Sequence, residues 1–142
     1  MAALAIPAHA SRSVAATDGV RTVLRLEGLA LLIVAAALYA RSGAPWMQAA
    51  ILFLAPDLSF IGYIAGARIG ALFYNAAHST LGPLALAGFG LAFAQPLTLS
   101  IALIWLGHVG FDRALGYGLK HATGFADTHL GAIGKKRMAS SE

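Results

Sequence analysis

Six polar residues that could do chemistry lie within or at the ends of stretches that are otherwise mostly apolar: Glu27, Asp57, Asn75, His78, His108 and Asp112. Asn75 lies three residues before His78, so on a helix the two side chains share a face. His108 lies four residues before Asp112, with the same consequence. Imidazole and carboxylate groups on facing helices form a ligand set for Zn²⁺, Mn²⁺ or Fe²⁺. The spacing therefore predicts a site for a divalent transition metal.

Each of these residues, and two cations that follow them, has a predicted role at the site. Glu27 would act as a general base on metal-activated water, and Asn75 would orient the substrate. Arg113 and Lys120, in a glycine-rich segment, would contact an anionic group. The positive-inside rule favours a simpler role for this pair, as anchors at a membrane interface. The predicted metal ligands are Asp57, His78, His108 and Asp112.

The same polar groups permit other interpretations. They could pair with one another as hydrogen bonds that fix helix packing and bind nothing. A bis-histidine haem is disfavoured, because two carboxylates would lie against the apolar faces of the porphyrin. The chain also has no glycine-rich nucleotide-binding pattern. We therefore expect neither haem nor a nucleotide. His129 would become a further ligand only if the C-terminal tail folds back onto the helices.

The composition limits the class of protein. Of 142 residues, 58% are hydrophobic and 11% are charged, whereas soluble domains average about 45–50% and about 25%. These values disfavour a soluble enzyme, a disordered tail protein and a nucleic-acid-binding module. The absence of cysteine excludes disulfides, thiolate metal ligands and thiol nucleophiles.

Uncharged stretches predict four membrane-spanning helices, at about 22–40, 45–66, 69–93 and 97–117, since a helix needs roughly 20 residues to cross the hydrocarbon. The predicted fold class is thus all-α, a four-helix transmembrane bundle over 21–120. Residues 1–20 and 121–142 are expected to be cytoplasmic tails. At a rise of about 1.5 Å per residue, the six polar residues fall in the same half of the bilayer.

The basic residues predict the orientation of the bundle. With four spans, every Lys and Arg except Arg41 lies on the side of the two termini. Lys and Arg stay on the cytoplasmic side, so we expect a multi-pass protein of the inner membrane with both termini cytoplasmic. Partners would be the lipid bilayer and anionic headgroups, and not nucleic acid. Gly62, Gly66 and Gly70 would permit close helix packing within the chain, or a homo-oligomer.

Several motifs together resemble the bacterial domain-of-unknown-function family 4260, over about Leu24 to Gly134. They are Pro56-Asp57-Leu58-Ser59, Tyr74-Asn75-Ala76-Ala77-His78-Ser79, His108-Val109-Gly110-Phe111-Asp112-Arg113, Gly116-Tyr117-Gly118-Leu119-Lys120 and Thr128-His129-Leu130-Gly131. The resemblance implies a small integral membrane protein and no particular activity.

Pro56-Asp57 and His78-Ser79 are also similar, more weakly, to motifs of predicted inner-membrane metal-dependent hydrolases. Ser59 stands where that family has a second Asp, and no Arg follows His78. The functional hypothesis is a membrane-embedded, metal-dependent hydrolase acting on an anionic or lipid-like substrate at the cytoplasmic leaflet. The alternative is a non-catalytic scaffold or binding protein whose polar layer only fixes helix packing.

Overall fold

The computed structural model describes residues 18–122 and 127–132. These residues form helices joined by short connections, followed by a minimal antiparallel ladder near the C-terminus. The elements are α1 (Asp18–Ser42), α2 (Trp46–Leu52), a 3₁₀ helix (Ala55–Ala65), α3 (Ala67–His78), α4 (Leu81–Ala92), α5 (Pro96–Leu115), β1 (Asp127–Thr128) and β2 (Gly131–Ala132). Of the predicted tails, 1–20 and 121–142, residues 1–17, 123–126 and 133–142 lie outside the described residues.

The all-α prediction is confirmed, and the four predicted helical segments are found in order. The first is α1 and the fourth is α5, each continuous. The second is divided into α2 and the 3₁₀ helix, and the third into α3 and α4. A single continuous helix over 69–93 was therefore the wrong expectation.

Two of the segments, Gly19–Ser42 and Trp46–Ala65, are long and apolar enough to cross a membrane. Many large apolar side chains on them are exposed, including Ile33, Leu38 and Ile64. The α3 and α4 helices have 12 residues each, which gives each a length of about 18 Å. Because the hydrocarbon core is roughly 30 Å thick, neither half would cross it alone.

The α5 helix forms the centre of the fold. Its residues Leu106–Gly110 are all buried, and α1 and α4 both pack against it. Two glycines allow α1 and α5 to approach closely. A Cβ added to Gly110 would lie 2.7 Å from the backbone nitrogen of Leu32. On the facing helix, a Cβ added to Gly28 would lie 2.5 Å from the Cβ of Arg113. Backbone contact between α1 and α5 therefore depends on these two glycines.

Each break in the helical segments lies close to a predicted metal ligand: Phe53-Leu54 come shortly before Asp57, and Ser79 directly follows His78. Pro56 stands in the first turn of the 3₁₀ helix, immediately before Asp57. Ser79, directly after His78, has an extended backbone with φ −83° and ψ 152°, which ends α3. Pro83 lies in the first turn of α4, where its missing N–H removes no helical bond.

The chain after α5 folds back onto the helices. Gly116 has φ 94°, a left-handed conformation that ends α5 and reverses the chain. Thr128 then pairs with Lys120 in an isolated bridge, and β1 pairs with β2. We call the described residues 116–122 and 127–132 the strap. Part of the predicted cytoplasmic tail is thus an ordered piece of the fold.

Replacing Gly110 by Ala should destabilise the protein by about 1–3 kcal/mol, because the new methyl group would collide with the backbone of α1. Denaturant unfolding of the purified protein in detergent micelles measures the change. Gly88→Ala is the matched control: it too replaces a helical glycine, but no atom lies within 4 Å of the added Cβ. Equal stability of the two variants would contradict the packing described above.

Candidate metal centre

Four of the predicted site residues come together beside α5. Asp57 is supplied by the first turn of the 3₁₀ helix, and His78 is the last residue of α3. His108 and Asp112 lie one turn apart on α5. We call Asp57, His78, His108 and Asp112 the His–Asp cluster.

The cluster has the dimensions of a metal site. The Nε2 atoms of His78 and His108 are 3.2 Å apart. Asp57 Oδ1 lies 3.4 Å from the first and 3.6 Å from the second. Asp112 Oδ2 lies 3.6 Å and 3.9 Å from the same two nitrogens. Ligand atoms around a tetrahedral zinc ion, bound at about 2.0–2.1 Å, are about 3.3 Å from one another.

Asp57, His78 and His108 can therefore hold a metal ion, since one ligand atom from each lies within 4.8 Å of the other two. Asp112 is near enough to both histidines to complete four ligands. Two imidazoles with carboxylate oxygens suit Zn²⁺, Mn²⁺ or Fe²⁺.

Burial is uneven across the cluster. The side chains of His78 and His108 are 3% and 2% exposed, and that of Asp112 is 15% exposed. The Asp57 side chain is 36% exposed. A ligand would therefore reach the cluster from the Asp57 edge. Catalytic metal sites differ from structural ones in leaving a coordination position of the metal to water or substrate, which would enter from this edge.

Tyr74 supports two members of the cluster. The Nδ1–H of His78 donates to the carbonyl oxygen of Tyr74 at 2.9 Å, which leaves the Nε2 lone pair facing the cluster. The Tyr74 hydroxyl donates to Asp112 Oδ2 at 3.3 Å, and its ring stacks on His78 with centroids 3.8 Å apart. Tyr74 was not among the residues predicted to form the site. The four-residue spacing from His78 was the available signal.

His108 is less well supported. Its Nδ1 is buried and has no hydrogen-bond partner among the described residues, and Phe53 meets the ring edge-on at 5.2 Å. Since His78 Nε2 carries a lone pair, the 3.2 Å contact without metal requires His108 Nε2 to donate its hydrogen. A bound metal would take the place of that hydrogen.

The predicted cations lie beside the cluster. Arg113 Nη2 donates to the carbonyl oxygen of His78 at 3.4 Å. Lys120 is buried, and its Nζ lies 4.9 Å from the centre of the Tyr74 ring, a cation–π contact. Burial lowers the pKa of Lys120. The strap therefore places a second cation behind the stacked rings of Tyr74 and His78.

His129 lies near the cations and not in the cluster. The backbone N–H of Leu119 donates to its Nδ1 at 2.9 Å, and Arg113 Nη1 lies 3.1 Å from its Nε2. Burial and the Arg113 charge lower the pKa of His129. The tail does fold back, as His129 would require to become a ligand. However, the two ring nitrogens of His129 are directed at Leu119 and Arg113.

Two predicted catalytic residues are placed elsewhere. Glu27 is exposed on α1, and no hydrogen bond or ion pair joins it to the cluster in the described part of the chain. Its neighbour Gly28 faces α5, and successive helical residues point about 100° apart, so Glu27 is turned outward. Asn75 accepts from the Lys120 N–H at 2.7 Å and donates to the Lys120 carbonyl at 2.9 Å. Asn75 holds the strap.

Apolar helices around a cluster of two imidazoles and two carboxylates define a small all-α protein with membrane-type helices and a group that can hold a metal. The chain belongs to the family described as domain of unknown function (DUF4260), whose model matches residues 21–133. No curated protein and no solved structure matches it. The likeness to inner-membrane hydrolases stays a prediction.

Asn75→Ala should release the strap, because it removes both hydrogen bonds to the Lys120 peptide. We expect the Lys120 amide to exchange with deuterium about 10-fold faster or more, from the loss of about 1–3 kcal/mol. Gln48→Ala is the control, since it removes one hydrogen bond to Ser100 far from the strap. Unchanged exchange in Asn75→Ala would show that the strap is held by other contacts.

Acid should also loosen the strap. In the folded protein the pKa of His129 lies below its ordinary value of 6.5, so the neutral ring stabilises the docked strap. This stabilisation is lost as the pH falls from 6.5 through the lowered pKa. A proton on the ring would oppose the donors of Leu119 and Arg113. Protection of the Leu119 amide, corrected for intrinsic exchange, should fall between pH 7.5 and 5.5. In His129→Gln the fall should be absent, and an equal fall there would assign the effect to another group.

Proposed function

We propose that this chain is a multi-pass protein of the inner membrane that binds a divalent transition metal, Zn²⁺, Mn²⁺ or Fe²⁺, in the His–Asp cluster. We further propose that it is a metal-dependent hydrolase acting on an anionic or lipid-like substrate at the cytoplasmic leaflet. The observation that carries the proposal is the separation of 3.2 to 3.9 Å between each imidazole Nε2 and its neighbours in the cluster.

Hydrolysis is the chemistry that such a metal would supply. A divalent ion lowers the pKa of a bound water and polarises a carbonyl or phosphoryl oxygen. The chain's part is to present the open edge at Asp57, where water and substrate would enter. Because Glu27 is turned away, the proton would go to a cluster carboxylate oxygen that does not bind the metal, and Asp57, the more exposed of the two carboxylates, is the better candidate.

The surroundings support an anionic or lipid-like substrate and a membrane location. Arg113 and Lys120 place positive charge next to His78 and Tyr74. The outer surface carries many exposed large apolar side chains. With the spans as predicted, the distribution of Lys and Arg sets both termini and the site on the cytoplasmic side.

The second candidate is a non-catalytic scaffold, and a specific observation favours it. A metal-binding imidazole normally donates its other N–H to a partner, yet His108 Nδ1 has none among the described residues. Without metal, His108 Nε2–H donating to His78 Nε2 satisfies both facing nitrogens. In that case the cluster would be a hydrogen-bonded link between α3 and α5.

Metal analysis of the purified, full-length protein in detergent micelles separates the two candidates. The metalloprotein predicts about one transition-metal ion per chain, and a loss of affinity of at least about 100-fold in His78→Ala and His108→Ala. Tyr74→Phe, which removes one supporting hydrogen bond, should cost about 10-fold. His121→Ala is the control, since His121 is exposed and outside the cluster.

Undiminished metal in His108→Ala, or no stoichiometric metal in the unmodified protein, would contradict the metal site. The scaffold predicts instead that both histidine variants lose stability and that no variant changes metal content.

A further inference from the structure

A groove on the outside of the fold runs beside the cluster. It has a volume of about 280 Å³, and its walls include Ala55 and Pro56, Ala77, and Ile101, Ile104 and Trp105. These side chains are apolar apart from the indole N–H, which donates to the carbonyl oxygen of Ala77. The groove therefore offers no free polar group of its own along these walls.

Three of the elements that line the groove also supply members of the cluster, and a fourth, α2, contributes Leu52 to the wall. Pro56 immediately precedes Asp57 in the 3₁₀ helix, and Ala77 immediately precedes His78 in α3. On α5, Ile104 lies four residues before His108, so the two share a face. On the shared face of α5 the groove thus lies one helical turn before the cluster, and its walls on the 3₁₀ helix and α3 directly precede cluster residues in the chain.

Three kinds of surface follow one another along α5. The groove residues Ile101, Ile104 and Trp105 come first, then the cluster residues His108 and Asp112, and then the cation Arg113. Ile101 and Arg113 are twelve residues apart, which places the apolar and cationic ends about 18 Å from each other. A hydrocarbon chain, a polar linkage and a negative charge occur in this order in a single-chain amphiphile.

The geometry points to such an amphiphile as the ligand. Its hydrocarbon chain would lie in the groove, its polar linkage at the His–Asp cluster and its anionic end toward Arg113. An apolar cavity of about 150 Å³ holds the six carbons of benzene. By that measure the groove accommodates a chain of about ten carbons. This assignment rests on the proposed metal site and names the substrate class that the site takes.

Alkyl hydroxamates test the assignment, because the hydroxamate group chelates a metal and the chain length can be varied. The probes are acetohydroxamate and decanohydroxamate, titrated into the zinc-loaded, full-length protein at fixed micelle concentration. Two variants fill the groove, Ala55→Phe and Ala77→Leu. Their controls are Ala50→Phe and Ala76→Leu, which introduce the same side chains at exposed positions outside the groove.

We expect the groove-filling variants to bind decanohydroxamate at least 10-fold more weakly than the unmodified protein and the controls. Acetohydroxamate should bind all five proteins within about twofold, since its methyl group does not reach the groove. Partition of decanohydroxamate into micelles is the same for all five and does not affect their comparison. Equal decanohydroxamate binding by all five would overturn the groove assignment and leave the metal site standing. Failure of acetohydroxamate to bind any of them would count against the metal site itself.

Discussion

The burial of two imidazoles beside two carboxylates among apolar helices is the constraint on which the rest of the structure depends. An ionised or polar group without a partner costs several kcal/mol in such surroundings, so these side chains must satisfy one another or share a cation. The cluster therefore fixes the relative positions of the 3₁₀ helix, α3 and α5. Hydrogen bonds from His78 to the Tyr74 carbonyl and from the Tyr74 hydroxyl to Asp112 orient these two members of the cluster.

The irregular parts of the fold have a shared explanation in this constraint. One helix break, at Phe53-Leu54, comes three residues before Asp57, and the other directly follows His78. A break changes the direction of the chain. The side chain near the break can then point toward the cluster while the next helix runs elsewhere. The strap then covers the stack of Tyr74 and His78 with Lys120, and Asn75 holds it there. Irregular backbone is tolerated among apolar helices where it is packed against protein.

The sequence was sufficient to predict which residues form the His–Asp cluster and the order of the helical segments. His108 and Asp112 could be paired from their spacing alone, and charge-free stretches located the segments. Glu27 was misplaced because a depth estimate gives the height of a residue on a helix but not the side it faces. Gly28 decides that side, through a close contact with Arg113 that no pattern in α1 reveals. The role of Asn75 depends on the path of the strap, which is set by tertiary contacts with residues 45 positions away.

X-ray absorption at the edge of the bound metal is the most direct test of the cluster as a metal centre. The geometry predicts two imidazole nitrogens and one or two carboxylate oxygens at about 2.0–2.2 Å, with the multiple-scattering pattern of two histidines. In His108→Ala any residual metal should show one histidine. A spectrum without imidazole scattering, or one unchanged in His108→Ala, would contradict a metal held by His78 and His108.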